Sequence, residues 1–154
     1  MIAEQTKAPV FTLPDSNGNM TSLADFSGKK VLLIFYPGDD TPVCTAQLCD
    51  YRNNVEAFAS RGITVIGISA DTVASHKSFA ERHKLPFTLL SDHEKRTARA
   101  YDALGFLDMM QRAYVLIDET GTIVMAFSEF LPILYQPMKQ LLARIDRQRK
   151  QQEE

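Results

Sequence analysis

Two closely spaced cysteines are the residues of this chain that could do covalent chemistry. Cys44 and Cys49 are its only cysteines and lie five positions apart, directly after a turn over residues 36–43 that leads from an apolar segment into a predicted helix. The first turn of a helix presents unpaired backbone N–H groups and the positive end of the helix dipole. A thiol at such a position ionises more readily than a free cysteine. Cys44 is therefore a candidate nucleophile, and the pair indicates a redox enzyme.

The spacing of the pair bears on what the two thiols can form. On one regular helix, residues five apart have Cα atoms about 8.7 Å from each other. A disulfide requires a Cα separation of about 4.4 to 6.8 Å. A bond between Cys44 and Cys49 would therefore require the first turns of the helix to unwind, which argues against a static structural disulfide.

The residues alone leave three interpretations of the cysteines open. They are a redox pair that works through local unfolding, two free structural cysteines, or ligands of a metal ion. The metal interpretation is the weakest, because His76, His83 and His93 have no ligand spacing relative to the cysteines and are interpreted as surface or capping residues. The C-x-x-C spacing of thioredoxin-type oxidoreductases is absent.

Length, composition and charge limit the number of domains, the kinds of partner and the location to be expected. A chain of 154 residues with 45% hydrophobic content is predicted to form a single domain over residues 1–154. A formal net charge of -2 and a pI near 5.9 give no reason to expect a nucleic-acid or membrane partner. The N-terminus lacks a signal-peptide pattern and no apolar run approaches a membrane span, so we expect a cytoplasmic protein. The charged tail over residues 144–154 is interpreted as a solvated helix end.

Strand-like and helix-like segments alternate along the chain, which predicts an α/β fold with a central mixed sheet and helices on both faces. The predicted strands are residues 10–13, 20–23, 31–36, 63–69, 87–90, 113–118 and 122–127. The predicted helices are residues 42–60, a helix ending near residue 84, a short helix through residue 101, and residues 135–149. The first of these helices has Thr41 as its N-cap and Pro42 at its first position.

A longer motif surrounds the cysteines. It has the form Tyr36-Pro37-x-x-x-Thr41-Pro42-x-Cys44-Thr45-x-Gln47-x-Cys49-x-x-Arg52. This pattern resembles the active-site motif of the peroxiredoxins, and the spacing of its cysteines is similar to that of the bacterioferritin comigratory protein, or peroxiredoxin Q, branch. The resemblance covers nearly the whole chain and also includes residues 8–13, 28–31, 91–92 and 112–118.

The resemblance implies a fold and a set of site residues. The fold would be a thioredoxin fold with an N-terminal β-hairpin extension. Cys44 would be the peroxidatic cysteine and Cys49 the resolving cysteine, with Pro37, Thr41 and Arg112 completing the site. Thr41 could hydrogen-bond the thiolate or a peroxide oxygen, Pro37 would shield the site from water, and Arg112 would stabilise negative charge.

The activity implied by the resemblance is that of a thiol peroxidase acting on hydrogen peroxide and organic hydroperoxides. Cys44 would become a sulfenic acid and condense with Cys49 to an intramolecular disulfide. Thioredoxin or a similar dithiol would then reduce that disulfide, and no metal, haem or flavin is implied. A monomer is expected, with a homodimer as the alternative. The alternative function is a peroxide sensor or redox-switched holdase of the same fold.

Some positions depart from the family pattern or allow two interpretations. Val43 stands where many members have glycine, and Gln47 where they commonly have glutamate; a glutamine can orient Arg112 through its carbonyl oxygen but adds no charge. Arg52 is either a second positive group or a helix-surface residue. The apolar segments 106–110 and 130–135 either cap the core or form an exposed collar for bulky hydroperoxides or a dimer contact.

Overall fold

The computed structural model describes residues 1–129, 131 and 134–153. An N-terminal hairpin precedes a five-stranded sheet and five α-helices. In chain order the elements are β1 (Thr12–Pro14), β2 (Met20–Ser22), β3 (Lys30–Phe35), α1 (Pro42–Asn53), α2 (Val55–Ala59), β4 (Ile63–Ser69), α3 (Val73–His83), β5 (Thr88–Ser91), α4 (Arg96–Ala100), β6 (Ala113–Ile117), β7 (Ile123–Ser128) and α5 (Met138–Glu153).

The main sheet has the strand order β5-β4-β3-β6-β7. Strands β3, β4 and β5 are parallel, whereas β6 runs antiparallel to β3 and β7 antiparallel to β6. The β1 and β2 strands pair separately as an antiparallel hairpin. The predicted mixed sheet and N-terminal hairpin are therefore both present. None of the described helices is long and apolar enough to cross a membrane.

The central strand β3 is buried on both faces. Val31, Leu33 and Phe35 belong to one core cluster, and Leu32 and Ile34 belong to a second cluster on the opposite face. This alternation follows from the two-residue side-chain period of a strand. Burying each large apolar side chain contributes about 1.5 to 3 kcal/mol. The strand is thus a rigid base for the loop that follows it.

Helix α1 begins where the sequence predicts but ends earlier. Thr41 occupies the N-cap position with extended backbone angles and Pro42 is the first helical residue, although the Thr41 hydroxyl donates to the Gly38 carbonyl rather than capping the helix. The prediction of one helix over residues 42–60 was wrong, because the chain leaves helical geometry at Asn54. The Asn54 side chain donates to the Asp50 carbonyl at 2.9 Å, a local bond that competes with helix continuation.

The last helix, α5, begins at Met138 rather than at residue 135. Pro137 disfavours helical geometry in the residue before it, which delays the helix start. The Asp50 carboxylate of α1 accepts from the Met138 backbone N–H at 3.0 Å and so satisfies one donor at the start of α5. The charged tail is helical through Glu153, but its interpretation as a solvated helix end holds only from residue 149 onward. Before that, Ile145 is buried in the core and Asp146 pairs with Arg61.

Candidate active site

Cys44 lies in the first turn of α1, at the third helical position, and is fully buried. The loop over residues 36–41 connects the end of β3 to this helix. Pro42 has no N–H, so the backbone donors of the first turn come from Val43 and Cys44 themselves. The structure therefore places the Cys44 sulfur at the positive end of the α1 dipole, as predicted.

Arg112 is the cation that contacts the Cys44 sulfur. Its guanidinium is almost fully buried, and its Nη2 donates to Cys44 Sγ at 3.1 Å. The same group donates through Nη1 to Gln47 Oε1 and through Nε to the Leu134 carbonyl at 3.1 Å. Arg112 directly precedes β6, whose first residue, Ala113, pairs with the last residue of β3. The antiparallel register therefore brings Arg112 to the end of the sheet where α1 starts.

Gln47 links Arg112 to two buried tyrosines. Its Oε1 accepts from Arg112, and its Nε2 donates to Tyr51 Oη at 3.2 Å and Tyr114 Oη at 2.9 Å. A glutamate carboxylate has acceptors only, whereas an amide supplies an acceptor and two donors. Gln47 satisfies all three partners in this way and adds no negative charge beside the arginine.

The two tyrosine hydroxyls anchor this network to the segment before α5. Tyr51 Oη donates to the Gln136 carbonyl at 2.6 Å, and the Gln136 N–H donates to Tyr114 Oη at 2.8 Å. Burial raises the pKa of Tyr114 to about 12 and that of Tyr51 further still. Both phenols are therefore neutral at physiological pH. The positive charge of Arg112 remains available to stabilise negative charge on the Cys44 sulfur.

Thr41 and Pro37 flank the cysteine on the loop before α1. The Thr41 hydroxyl donates to the Gly38 carbonyl at 3.0 Å, so its proton must be redirected before it can bind a thiolate or a peroxide. Pro37 is exposed and lies two residues after the end of β3. The roles of Thr41 and Pro37 stay predictions.

Cys49 lies on the same uninterrupted helix as Cys44 and is partly buried. Both thiols are free, and the regular helix between them maintains the separation that the sequence predicts. Cys49 Sγ lies 3.9 Å from Nδ1 of His83, the last residue of α3. Arg52 is not a second cation at Cys44, because its Nη1 donates to the His83 carbonyl at 2.7 Å. Arg52 instead links α1 to the end of α3 through this hydrogen bond.

A second buried polar cluster lies beneath the loop and was missed by the sequence reasoning. The His76 side chain is fully buried, so its interpretation as a surface or capping residue was wrong. Its Nδ1 lies 2.7 Å from Asp39 Oδ2, and its Nε2 lies 3.0 Å from the Leu90 carbonyl. Tyr36 Oη donates to Asp39 Oδ1 at 2.7 Å, and Ser75 Oγ donates to Asp39 Oδ2 at 2.9 Å.

This cluster ties the loop before α1 to α3 and to the ends of β4 and β5. Burial alone would raise the pKa of Asp39, but the hydrogen bonds from His76 and Tyr36, together with the electrostatic interaction with His76, outweigh it and hold that pKa below its usual value. The Asp71 carboxylate also accepts from the Asp39 N–H at 2.8 Å. Potential metal-ligand atoms of Asp39, Asp71 and His76 lie within 4.8 Å of one another, but hydrogen bonds within the cluster already engage all three side chains.

The apolar segments differ in exposure. Phe106, Leu107 and Met109 are 84%, 78% and 63% exposed, so they do not cap the core, whereas Met110 is buried in it. In the second segment Leu131 and Leu134 are exposed. Residues 130, 132 and 133 of that segment lie outside the described residues.

Comparisons with known proteins agree with this geometry. Residues 5–126 match the model of the AhpC/TSA family. A putative peroxiredoxin, bcp, from Coxiella burnetii is 44% identical over 124 residues, which cover 76% of this chain and 82% of that protein. A chloroplastic peroxiredoxin Q from Gentiana triflora is 42% identical over 136 residues, which cover 85% of this chain and 62% of that protein.

A solved structure extends the comparison to the fold. Peroxidoxin BcpB from Mycobacterium tuberculosis superposes with a TM-score of 0.81 at 27% identity, and the match covers 96% of this chain and 94% of that one. The thioredoxin fold and the family resemblance predicted from the sequence are thus confirmed. This chain belongs to the AhpC/TSA family, as a thiol-dependent peroxidase of its peroxiredoxin Q/Bcp branch.

Proposed function

We propose that Cys44 is the peroxidatic cysteine of this peroxidase and Cys49 its resolving cysteine. The observation that carries the assignment is the 3.1 Å hydrogen bond from Arg112 Nη2 to Cys44 Sγ at the start of α1. The guanidinium and the helix N-terminus both stabilise negative charge at this sulfur. Cys49 has neither of these groups as a contact in the part of the chain that the structure describes.

In the first step the Cys44 thiolate attacks one oxygen of the hydroperoxide. An S–O bond forms, the O–O bond breaks, and the leaving oxygen takes up a proton to become an alcohol or water. Arg112 lies within reach of the negative charge that develops as this bond breaks. Cys44 is then a sulfenic acid. Hydrogen peroxide and organic hydroperoxides are the proposed substrates.

In the second step Cys49 attacks the sulfur of the sulfenic acid. An S–S bond forms, the S–O bond breaks, and water leaves. Because both residues lie on α1, its first turns must unwind before the sulfurs can meet. Thioredoxin or a similar dithiol then reduces the disulfide by thiol–disulfide exchange and restores the resting thiols.

The setting of this cycle is also a proposal. A cysteine pair that is recycled by a dithiol requires a reducing compartment, for which the cytoplasm is the natural candidate.

We propose that the chain acts as a monomer. Sedimentation velocity on reduced and oxidised protein tests this, and a dimer dispersed by Leu107→Ser would show instead that the exposed segment 106–109 joins two chains.

The assignment is tested with two serine variants in a single-turnover peroxide assay. Cys44→Ser should abolish peroxide consumption. Cys49→Ser should consume one peroxide per chain and stop as a sulfenic acid, which a dimedone adduct on Cys44 detects. Equal single-turnover consumption by the wild type and Cys44→Ser would overturn the assignment. With a thioredoxin system present the wild type should turn over many times, whereas a sensor would be oxidised once per chain.

A further inference from the structure

The environment of Cys49 differs from that of Cys44. Cys49 is the eighth of the twelve residues of α1, beyond the turn in which the helix dipole favours an anion. Its sulfur must nevertheless lose a proton, because the thiolate is the nucleophile in disulfide formation. A base next to Cys49 could therefore accelerate disulfide formation by removing this proton.

His83 is placed to be that base. Its Nδ1 lies 3.9 Å from Cys49 Sγ, and both groups are partly buried. The imidazole packs edge-on against the Phe79 ring with centroids 5.0 Å apart. Arg52 Nη1 donates to the His83 carbonyl at 2.7 Å and so holds the end of α3 against α1. The ring thus packs on Phe79, and its Nδ1 lies within hydrogen-bond distance of the thiol, while Arg52 holds the backbone of the residue.

Charged side chains lie near Cys49 and His83 in the sequence of both helices. On α1, Arg52 lies beside the histidine, and the Asp50 carboxylate is occupied by the Met138 N–H. On α3, Arg82 pairs with Asp40 of the loop before α1. Asp50 and Arg82 are thus each engaged by partners outside the pair.

We propose that His83 is a catalytic general base that activates Cys49 for the resolving step. This inference rests on the proposed assignment of Cys49 as the resolving cysteine. With its proton on Nε2, His83 accepts the Cys49 proton at Nδ1 while α1 is still folded. The thiolate then attacks the Cys44 sulfenic sulfur, hydroxide leaves, and the proton passes from the imidazolium through solvent to that hydroxide. The products are one disulfide and one water.

The test uses a readout that does not depend on peroxidase activity. In a Cys44→Ser background Cys49 is the sole thiol, and its rate of alkylation by iodoacetamide reports its thiolate fraction. His83→Phe and His83→Gln should each slow alkylation at pH 7 by about fivefold. At pH 9.5 the rates should converge, because cysteine thiols of ordinary pKa about 8.5 ionise there without a base. His93→Gln, a change at an exposed histidine, is the matched control and should alter neither rate.

The pH dependence separates catalysis from structure. If His83 only fills space, its replacement alters access to Cys49 and changes the rate by the same factor at both pH values, and the inference fails. Unchanged rates at both pH values would also overturn it. In the protein with both cysteines, His83→Gln should form the disulfide more slowly than the wild type at pH 7. At pH 9.5 the two rates should be equal. If Cys49 is not the resolving residue, the Cys49→Ser assay reveals this independently, whatever the alkylation rates show.

Discussion

Arg112 Nη2 lies 3.1 Å from Cys44 Sγ, and the same guanidinium donates to Gln47 Oε1 and the Leu134 carbonyl. All the nitrogens of this side chain are therefore engaged, in three different directions. A planar guanidinium contacts the three acceptors through three different nitrogens, whereas the three donors of an ammonium group share one nitrogen and cannot span these separate positions. The arrangement makes the position of the positive charge, and not only its presence, a property of the site.

Arg112→Lys should consequently reduce the rate of peroxide consumption by about tenfold to a hundredfold although it preserves the charge. The reason is that loss of one aligned donor to a developing oxyanion commonly costs that much or more. Stopped-flow measurement of sulfenic acid formation under single-turnover conditions gives the rate. Arg96→Lys, at an exposed surface arginine, is the control and should behave like the wild type. A lysine variant as fast as the wild type would show that charge alone suffices.

Gln47→Leu should destabilise the fold by about 3 kcal/mol, because it leaves the Arg112 Nη1 donor and the two tyrosine oxygens without this partner in a buried site. Urea unfolding followed by circular dichroism measures the free energy. Gln47→Glu retains the acceptor for Arg112 and should lose less. Gln140→Leu, at an exposed position of α5, controls for the change in residue type. Equal stability of Gln47→Leu and Gln140→Leu would contradict a structural role for the network.

Asp39→Asn should lower the free energy of unfolding at pH 7 by about 3 kcal/mol, because it removes a buried carboxylate that accepts hydrogen bonds from Tyr36, Ser75 and His76. The pKa of Asp39 is held below its usual value in the folded state. Its contribution is therefore present above the ordinary aspartate pKa of about 3.9 and is lost as the pH falls through the lower folded pKa.

The wild type should thus lose stability more steeply than Asp39→Asn between pH 5 and pH 2.5. Denaturant titrations at several pH values across this range provide the comparison. Asp40→Asn removes the neighbouring carboxylate, which is half exposed and paired with Arg82, and should change stability by no more than about 1 kcal/mol. Parallel pH profiles for the wild type and Asp39→Asn would refute the assigned charge state.

Oxidation should unwind the start of α1. Amide hydrogen exchange across residues 41–51 should rise in the disulfide form, because a regular helix separates the two Cα atoms by about 8.7 Å. Mass spectrometry of peptic peptides locates the change, and peptides from β3 provide an internal control because that strand is buried on both faces. Equal protection of residues 41–51 in both redox states, with the disulfide verified, would refute the geometric argument.

Local patterns in the sequence were enough to place the elements around Cys44. The apolar run over residues 63–69 is the observed β4, and Thr41 and Pro42 set the start of α1. These signals act over a few residues, through side-chain periodicity and the fixed φ of proline. The break at Asn54 was missed because a side-chain bond to the Asp50 carbonyl competes with the helix in a way that composition does not reveal.

The chemical partners of the cysteines were decided by the tertiary structure. Arg112 is 68 positions from Cys44, and the pairing of β6 with β3 brings them together. His83 is 34 positions from Cys49, and His76 is 37 positions from Asp39; both histidines depend on the packing of α3. Without the family motif, the sequence does not distinguish Arg112 from a surface arginine or His76 from a solvent-exposed histidine. Which polar groups meet in a core depends on strand order and helix packing, and these are set by the burial of the whole chain.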